Sequence, residues 1–219
     1  GSKPILLGDP DFNMKTEGKT SANEKIWVTE LKPEALTLRS ILIRDLNFDP
    51  LPGTREEVQA IQSLLGKDHT ELYTGKEAVE EVLHKMNTPR ILHLATHGFF
   101  LKDIEFSPLE NLHSTRGLSA VKVHKKNLSM KRIRIENPFL QSGFVLAGAN
   151  NALKSRGSIK SDGVVTAEKI LGLKLMGTDM VVLSACNTGV GEVKSGEGVF
   201  GLRRAFTQAG TKSIVMSMW

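Results

Sequence analysis

At 219 residues, with 40% apolar and 24% charged side chains, the chain is long enough to bury a core as one domain and too apolar for global disorder. A net charge of +5 is mild, one cysteine excludes an intramolecular disulfide framework and suits a reducing, cytosolic setting, and no apolar run approaches the ~18 residues of a membrane span. Gly1-Ser2 reads as a cloning scar with no secretory leader before Lys3, so the chain is expected to be a piece of a longer protein.

The first expected element is a short strand over 3–7, stopped by the turn signal Gly8-Asp9-Pro10. Residues 13–25 are polar and read as a loop, and 26–46 are expected to hold one or two strands around Trp27 and Ile41. A helix follows from Leu51-Pro52-Gly53-Thr54: Thr54 with Glu57 three residues later makes a capping box, and Val58, Ile61, Leu64 and Leu65 lie at helical spacing. A strand over 70–73 and a helix over 76–86 continue the alternation until Thr88-Pro89, where a strand carrying His97 begins. Residues 103–140 break the rhythm and read as an insertion, with a hairpin suggested by Val121, Val123, Ile133 and Ile135. Its basic cluster, Lys122, Lys125, Lys126, Lys131, Arg132 and Arg134 with His124, reads chiefly as a solvated excursion. It lacks the interleaved aromatics that single-strand binders use, so nucleic acid is kept only as a candidate activator.

Beyond the insertion the spacing predicts a strand over 143–149, a helix over 166–171, a strand over 180–185, a helix over 196–210 and a last strand over 213–216. Continuous apolar strands alternating with amphipathic helices predict an α/β fold with a mostly parallel central sheet covered by helices on both faces.

Two strand ends carry the chemistry. Ile91-Leu92-His93-Leu94-Ala95-Thr96-His97-Gly98 ends on a histidine and a glycine. Val181-Val182-Leu183-Ser184-Ala185-Cys186-Asn187-Thr188-Gly189 ends on the chain's single cysteine. Ligands of open parallel sheets gather at the carboxyl ends of strands, so neighbouring strands would bring Cys186 and His97 together as nucleophile and base. Gly98 lets a substrate carbonyl approach its N–H, which with the Cys186 N–H would form an oxyanion hole. Each residue also has a plainer reading, an inert core thiol and a structural histidine. His93 is the better structural histidine, because it sits mid-strand with no glycine beside it. Gly189-Val190-Gly191-Glu192-Val193-Lys194-Ser195 ends like a phosphate loop, but Thr188 and Val193 stand where the glycines belong, and a zinc site lacks ligand spacing. No cofactor or metal is expected.

These strand ends, with Gly8-Asp9-Pro10, Leu51-Pro52-Gly53-Thr54-Arg55-Glu56-Glu57-Val58, Asp162-Gly163-Val164-Val165-Thr166-Ala167-Glu168, Gly196-Glu197-Gly198-Val199-Phe200-Gly201-Leu202-Arg203-Arg204-Ala205-Phe206 and Ser217-Met218-Trp219, resemble the CHAT family of caspase-like cysteine peptidases, relatives of separase, caspases and gingipains. The resemblance implies a single caspase-like three-layer sandwich over 1–219 and a His–Cys dyad at His97 and Cys186, with Gly98 in the oxyanion hole. It also implies a protein substrate and a regulatory sensor such as tetratricopeptide repeats, often in bacterial defence, with no membrane partner. Family members continue past Ser217-Met218-Trp219 with more of the pocket wall, so the C-terminal part is expected to be missing. Asp162, Glu192 and Glu197 are acids that could attract a basic substrate side chain, although each also reads as a loop or cap residue.

Overall fold

A computed structural model describes residues 2–15, 46–100, 138–154, 162–187 and 197–217, with the backbone alone described at 138, 186, 187 and 197–199. The elements, in chain order, are β1 (Ile5–Pro10), α1 (Pro52–Leu65), β2 (Glu71–Gly75), α2 (Glu80–Lys85), β3 (Ile91–Phe100), β4 (Ser142–Val145), α3 (Ala149–Lys154), β5 (Val164–Thr166), α4 (Ala167–Leu171), β6 (Met180–Asn187), α5 (Glu197–Gln208) and β7 (Ser213–Met216). The expected elements in 16–45 and 103–137 lie outside the described residues.

Five strands form a parallel sheet in the order β2-β1-β3-β6-β7, with β3 at its centre. β3 outlasts β1: their pairing ends at Gly8↔Ala95, and β4 then runs antiparallel to β3 from Gly98↔Phe144. β5 pairs antiparallel with β4 in turn. The crossovers diverge at β1 and β3, the kind of switch point where parallel sheets open a ligand crevice.

Alternation along the strands divides the core into two faces. Ile5 and Leu7 of β1, Leu92 and Leu94 of β3, and Val181 and Leu183 of β6 pack with Leu83, Ile170, Leu202 and Phe206 from α2, α4 and α5. On the other face, Leu6 and Ala95 meet Val58 and Ile61 of α1. Helices therefore cover both faces, as the sequence pattern predicts. Past Ala95 the α1 side continues into a cluster of Phe12, Phe48, Phe99, Val145, Ala149 and Val164, which surrounds the carboxyl end of β3.

Several boundaries differ from expectation for physical reasons. α1 begins three residues early, at Pro52 with Leu51 in the cap position, and Thr54 caps nothing: its hydroxyl donates to the Leu51 carbonyl (2.7 Å) and accepts the Asp9 N–H (2.8 Å). Arg55 Nε adds an ion pair to Asp9 Oδ2 at 2.8 Å, so the Gly8-Asp9-Pro10 and Leu51-Pro52-Gly53-Thr54 blocks form one joint. Gly8 lets them close: a Cβ there would stand 2.8 Å from the Thr54 carbonyl oxygen and 2.9 Å from both Val58 methyls. α2 starts four residues later than its periodicity suggests, because the Ala78 carbonyl accepts the Ala147 N–H (2.9 Å) and holds 76–79 out of the helix. β4 ends at Val145, since Gly148 takes φ 88° and turns the chain into α3, an element the apolar run conceals. β5 is an element to which the sequence pattern assigns nothing; its last residue, Thr166, is the N-cap of α4, accepting the Lys169 N–H.

Candidate active site at the ends of β3 and β6

The two chemistry-bearing strand ends are neighbours. β3 and β6 pair in parallel through eight residues, from Ile91↔Met180 to His97↔Cys186 and Gly98↔Asn187. Adjacent strands lie about 4.8 Å apart, so register alone brings the backbones at 97 and 186 within side-chain reach of each other. Gly98 sits in the sheet between Phe144 of β4 and Asn187 of β6.

The His97 ring is 8% exposed and packs against two phenyl rings, Phe12 at 5.3 Å and Phe48 at 5.7 Å between centroids, which also touch each other at 6.1 Å. Its Nε2 lies 2.8 Å from the Asp49 carbonyl oxygen. A carbonyl only accepts, so Nε2 carries the proton and donates it. In the neutral ring, Nδ1 is then the basic nitrogen, and it is buried with no hydrogen-bond partner among the described residues. A basic, oriented, unpartnered nitrogen flanked by apolar rings is suited to taking a proton from a nearby acid.

One step back along the same strands lies a second network. His93 Nε2 donates to Glu57 Oε1 of α1 at 2.9 Å, and Ser184 Oγ of β6 donates to Glu57 Oε2 at 3.2 Å. Glu57 is thus no capping-box partner; it fastens α1 to both strands, at His93 on β3 and at Ser184 on β6, two residues before Cys186. At the other border of β6, the Ser217 hydroxyl accepts the Ala185 N–H (2.9 Å) and donates to the Ala185 carbonyl (3.1 Å), while Ser217 N–H bonds the Leu183 carbonyl. The residue before Cys186 is therefore held on its β7 side by a side chain.

Burial pushes His93 below the usual histidine range, against the pull of the Glu57 carboxylate. His84 of α2 is shifted upward, first by its hydrogen bond to Glu80. The two act on stability in opposite windows. Below the ordinary histidine value of about 6.5, the unfolded chain protonates at His93 where the folded one does not, so acidification destabilises. Above that value the folded chain keeps a proton on His84 that the unfolded chain has released, so this contribution is lost as pH rises through the folded pKa. Urea unfolding between about pH 5 and 8 is expected to show His93→Gln flattening the acid limb and His84→Gln flattening the alkaline one.

The three acids expected at a substrate pocket are placed differently. Asp162 Oδ1 accepts from Lys169 Nζ at 2.8 Å and from the Val164 N–H at 2.9 Å, and Lys169 also reaches Glu80 Oε1 at 2.8 Å. Glu197 opens α5, and Glu192 lies outside the described residues. The basic stretch 122–134 lies outside them too. Among the described residues no group of three or more His, Cys, Asp or Glu is placed to hold a metal ion, and no helix is long and apolar enough to cross a membrane. Sequence reasoning did not anticipate Asp49, Phe12, Phe48, Glu57 or Ser217 at the site.

No curated protein matches the chain in a sequence search. The family model described as the CHAT domain matches residues 1–219, the whole length. With its mostly parallel sheet flanked by helices on both faces, the chain belongs to the CHAT family, whose domains have the caspase-like cysteine-peptidase fold.

Proposed function

We propose that this protein is a cysteine endopeptidase in which Cys186 is the nucleophile and His97 the general base. The observation that carries the reading is the register pairing His97↔Cys186 at the carboxyl end of the central strands, with His97 Nδ1 buried and unpartnered among the described residues. By strand alternation, position 186 belongs to the same sheet face as position 97. In this reading Nδ1 takes the thiol proton, and the thiolate attacks the scissile carbonyl. The family resemblance assigns reception of the oxyanion to the N–H groups of Gly98 and Cys186. The imidazolium then returns the proton to the departing amine as the C–N bond breaks, and water hydrolyses the thioester.

The substrate is a protein or peptide. Glu192 and Glu197, which follow Cys186 in the chain, are proposed to face a basic side chain of it, while Asp162 already has Lys169 as partner. Control by an attached sensor, such as tetratricopeptide repeats, is supported by the family resemblance.

A peptidyl acyloxymethyl ketone tests the assignment of the nucleophile. Mass spectrometry is expected to locate the adduct on Cys186, with no labelling of Cys186→Ala. A thiol that reacts no faster than that of a free peptide would instead support a silent scaffold with this fold.

A further inference from the structure

The Asp49 carbonyl can orient His97 only if the backbone around it is itself held, and residues 46–50 have no regular secondary structure. The hold comes from α3. Asn150, 1% exposed, takes Phe48 in a two-point grip: its Oδ1 accepts the Phe48 N–H and its Nδ2 donates to the Phe48 carbonyl, both at 2.9 Å. Among the described residues, these are the bonds that fix the Phe48 backbone. The second Nδ2 hydrogen goes to Asn13 Oδ1 at 3.0 Å, and the Asn150 N–H goes to the Phe12 carbonyl at 2.9 Å. One residue thus ties down both segments that supply the rings packed against His97. The side-chain requirement is narrow. A primary amide offers an acceptor and two donors on one rigid plane; aspartate lacks the donors, alanine lacks both, and glutamine is a methylene too long for the same position.

We propose that Asn150 is a positioning residue for His97: by fixing Phe48 it sets the Asp49 carbonyl on Nε2, selects the Nε2–H tautomer, and leaves Nδ1 as the base. It acts through the loop and touches no reacting atom. The consequence for catalysis rests on the peptidase reading above; the tautomer lock does not.

Two-bond proton–nitrogen correlation spectra of the protein labelled with 15N-histidine read the tautomer directly. Wild type is expected to show His97 as Nε2–H, with the Phe48 amide strongly protected from exchange. Asn150→Ala is expected to average the two tautomers and release the Phe48 amide. The near-isosteric Asn150→Asp keeps the acceptor but loses the donor, and is expected to fall between the two. Ketone labelling of Cys186 should slow in Asn150→Ala on the order of 100-fold, and Asn150→Ala should add nothing in a His97→Ala background. An Nδ1–H tautomer in wild type, or an unchanged Nε2–H tautomer in either folded variant, would overturn the proposal. If the tautomer responds as expected while Cys186 reactivity ignores His97, the peptidase reading fails and the positioning role stands.

Discussion

Alanine at His97 is expected to lower kcat/KM for peptide cleavage by about 10²–10⁴-fold, with the fold and the Cys186 thiol intact. The size follows from what the ring supplies. A neutral imidazole whose proton is committed to the Asp49 carbonyl has one basic nitrogen, and the register pairing sets the backbone of Cys186 one strand away. Removing the ring removes both the proton acceptor for the thiol and the acid for the leaving amine. It also leaves a hollow beside the Phe12–Phe48 pair, so unfolding must be measured beside rate. His97→Gln is the control for packing, since it fills the space and bonds Asp49 without a basic nitrogen; it should be nearly as slow. His93→Gln separates the two histidines of β3, since His93 is engaged with Glu57 and should change rate far less. A His97→Ala variant as fast as wild type would remove the base assignment.

Lys169→Met is expected to destabilise the fold by about 3–5 kcal/mol, a large share of the roughly 5–15 kcal/mol that holds a domain together. Glu80 is 2% exposed, and its carboxylate takes Lys169 at 2.8 Å and His84 at 3.3 Å. Burial pushes its carboxyl up, yet the bonds and charges of those two partners outweigh burial and hold it below the usual carboxylate range. Burial likewise lowers Lys169, and Asp162 with Glu80 more than reverses this, leaving the ammonium above its ordinary range. The pair is asymmetric. Without Lys169, Glu80 keeps only the half-exposed His84 among the described residues; without the Glu80 charge, Lys169 still has Asp162. Glu80→Gln should therefore cost less than Lys169→Met, and the double variant less than the sum of the two. Equal, small losses in denaturant midpoints would mean that the network is screened and contributes little.

The sheet and its helical cover were legible because burial on both faces leaves continuous aliphatic runs, as in Val181-Val182-Leu183, while helices keep a 3.6-residue stripe, as in Leu202, Phe206 and Ala209. The meeting of positions 97 and 186 was legible for a related reason: parallel neighbours end on the same rim. What was hidden depends on tertiary recruitment. Thr54 and Glu57 form a sound capping box by spacing, but the Asp9 N–H claims the hydroxyl and the His93–Ser184 pair claims the carboxylate. Asp49 contributes a backbone carbonyl, which residue type does not announce, and Asn150 sits in a helix concealed by the apolar run before Gly148. Asp162 reads by charge as a pocket acid and by place as a loop or cap residue; its pairing with Lys169 across seven residues needed the fold to bring β5 and α4 together.

The most direct measurement is a crystal structure of the protein carrying the peptidyl ketone on its cysteine. The expected result places the Cys186 sulfur and His97 Nδ1 at the same rim, with the ketone oxygen about 2.7–3.1 Å from the Gly98 N–H. A sulfur pointing into the packed interior or to the face opposite His97, or an adduct whose oxygen lies away from Gly98, would contradict the account.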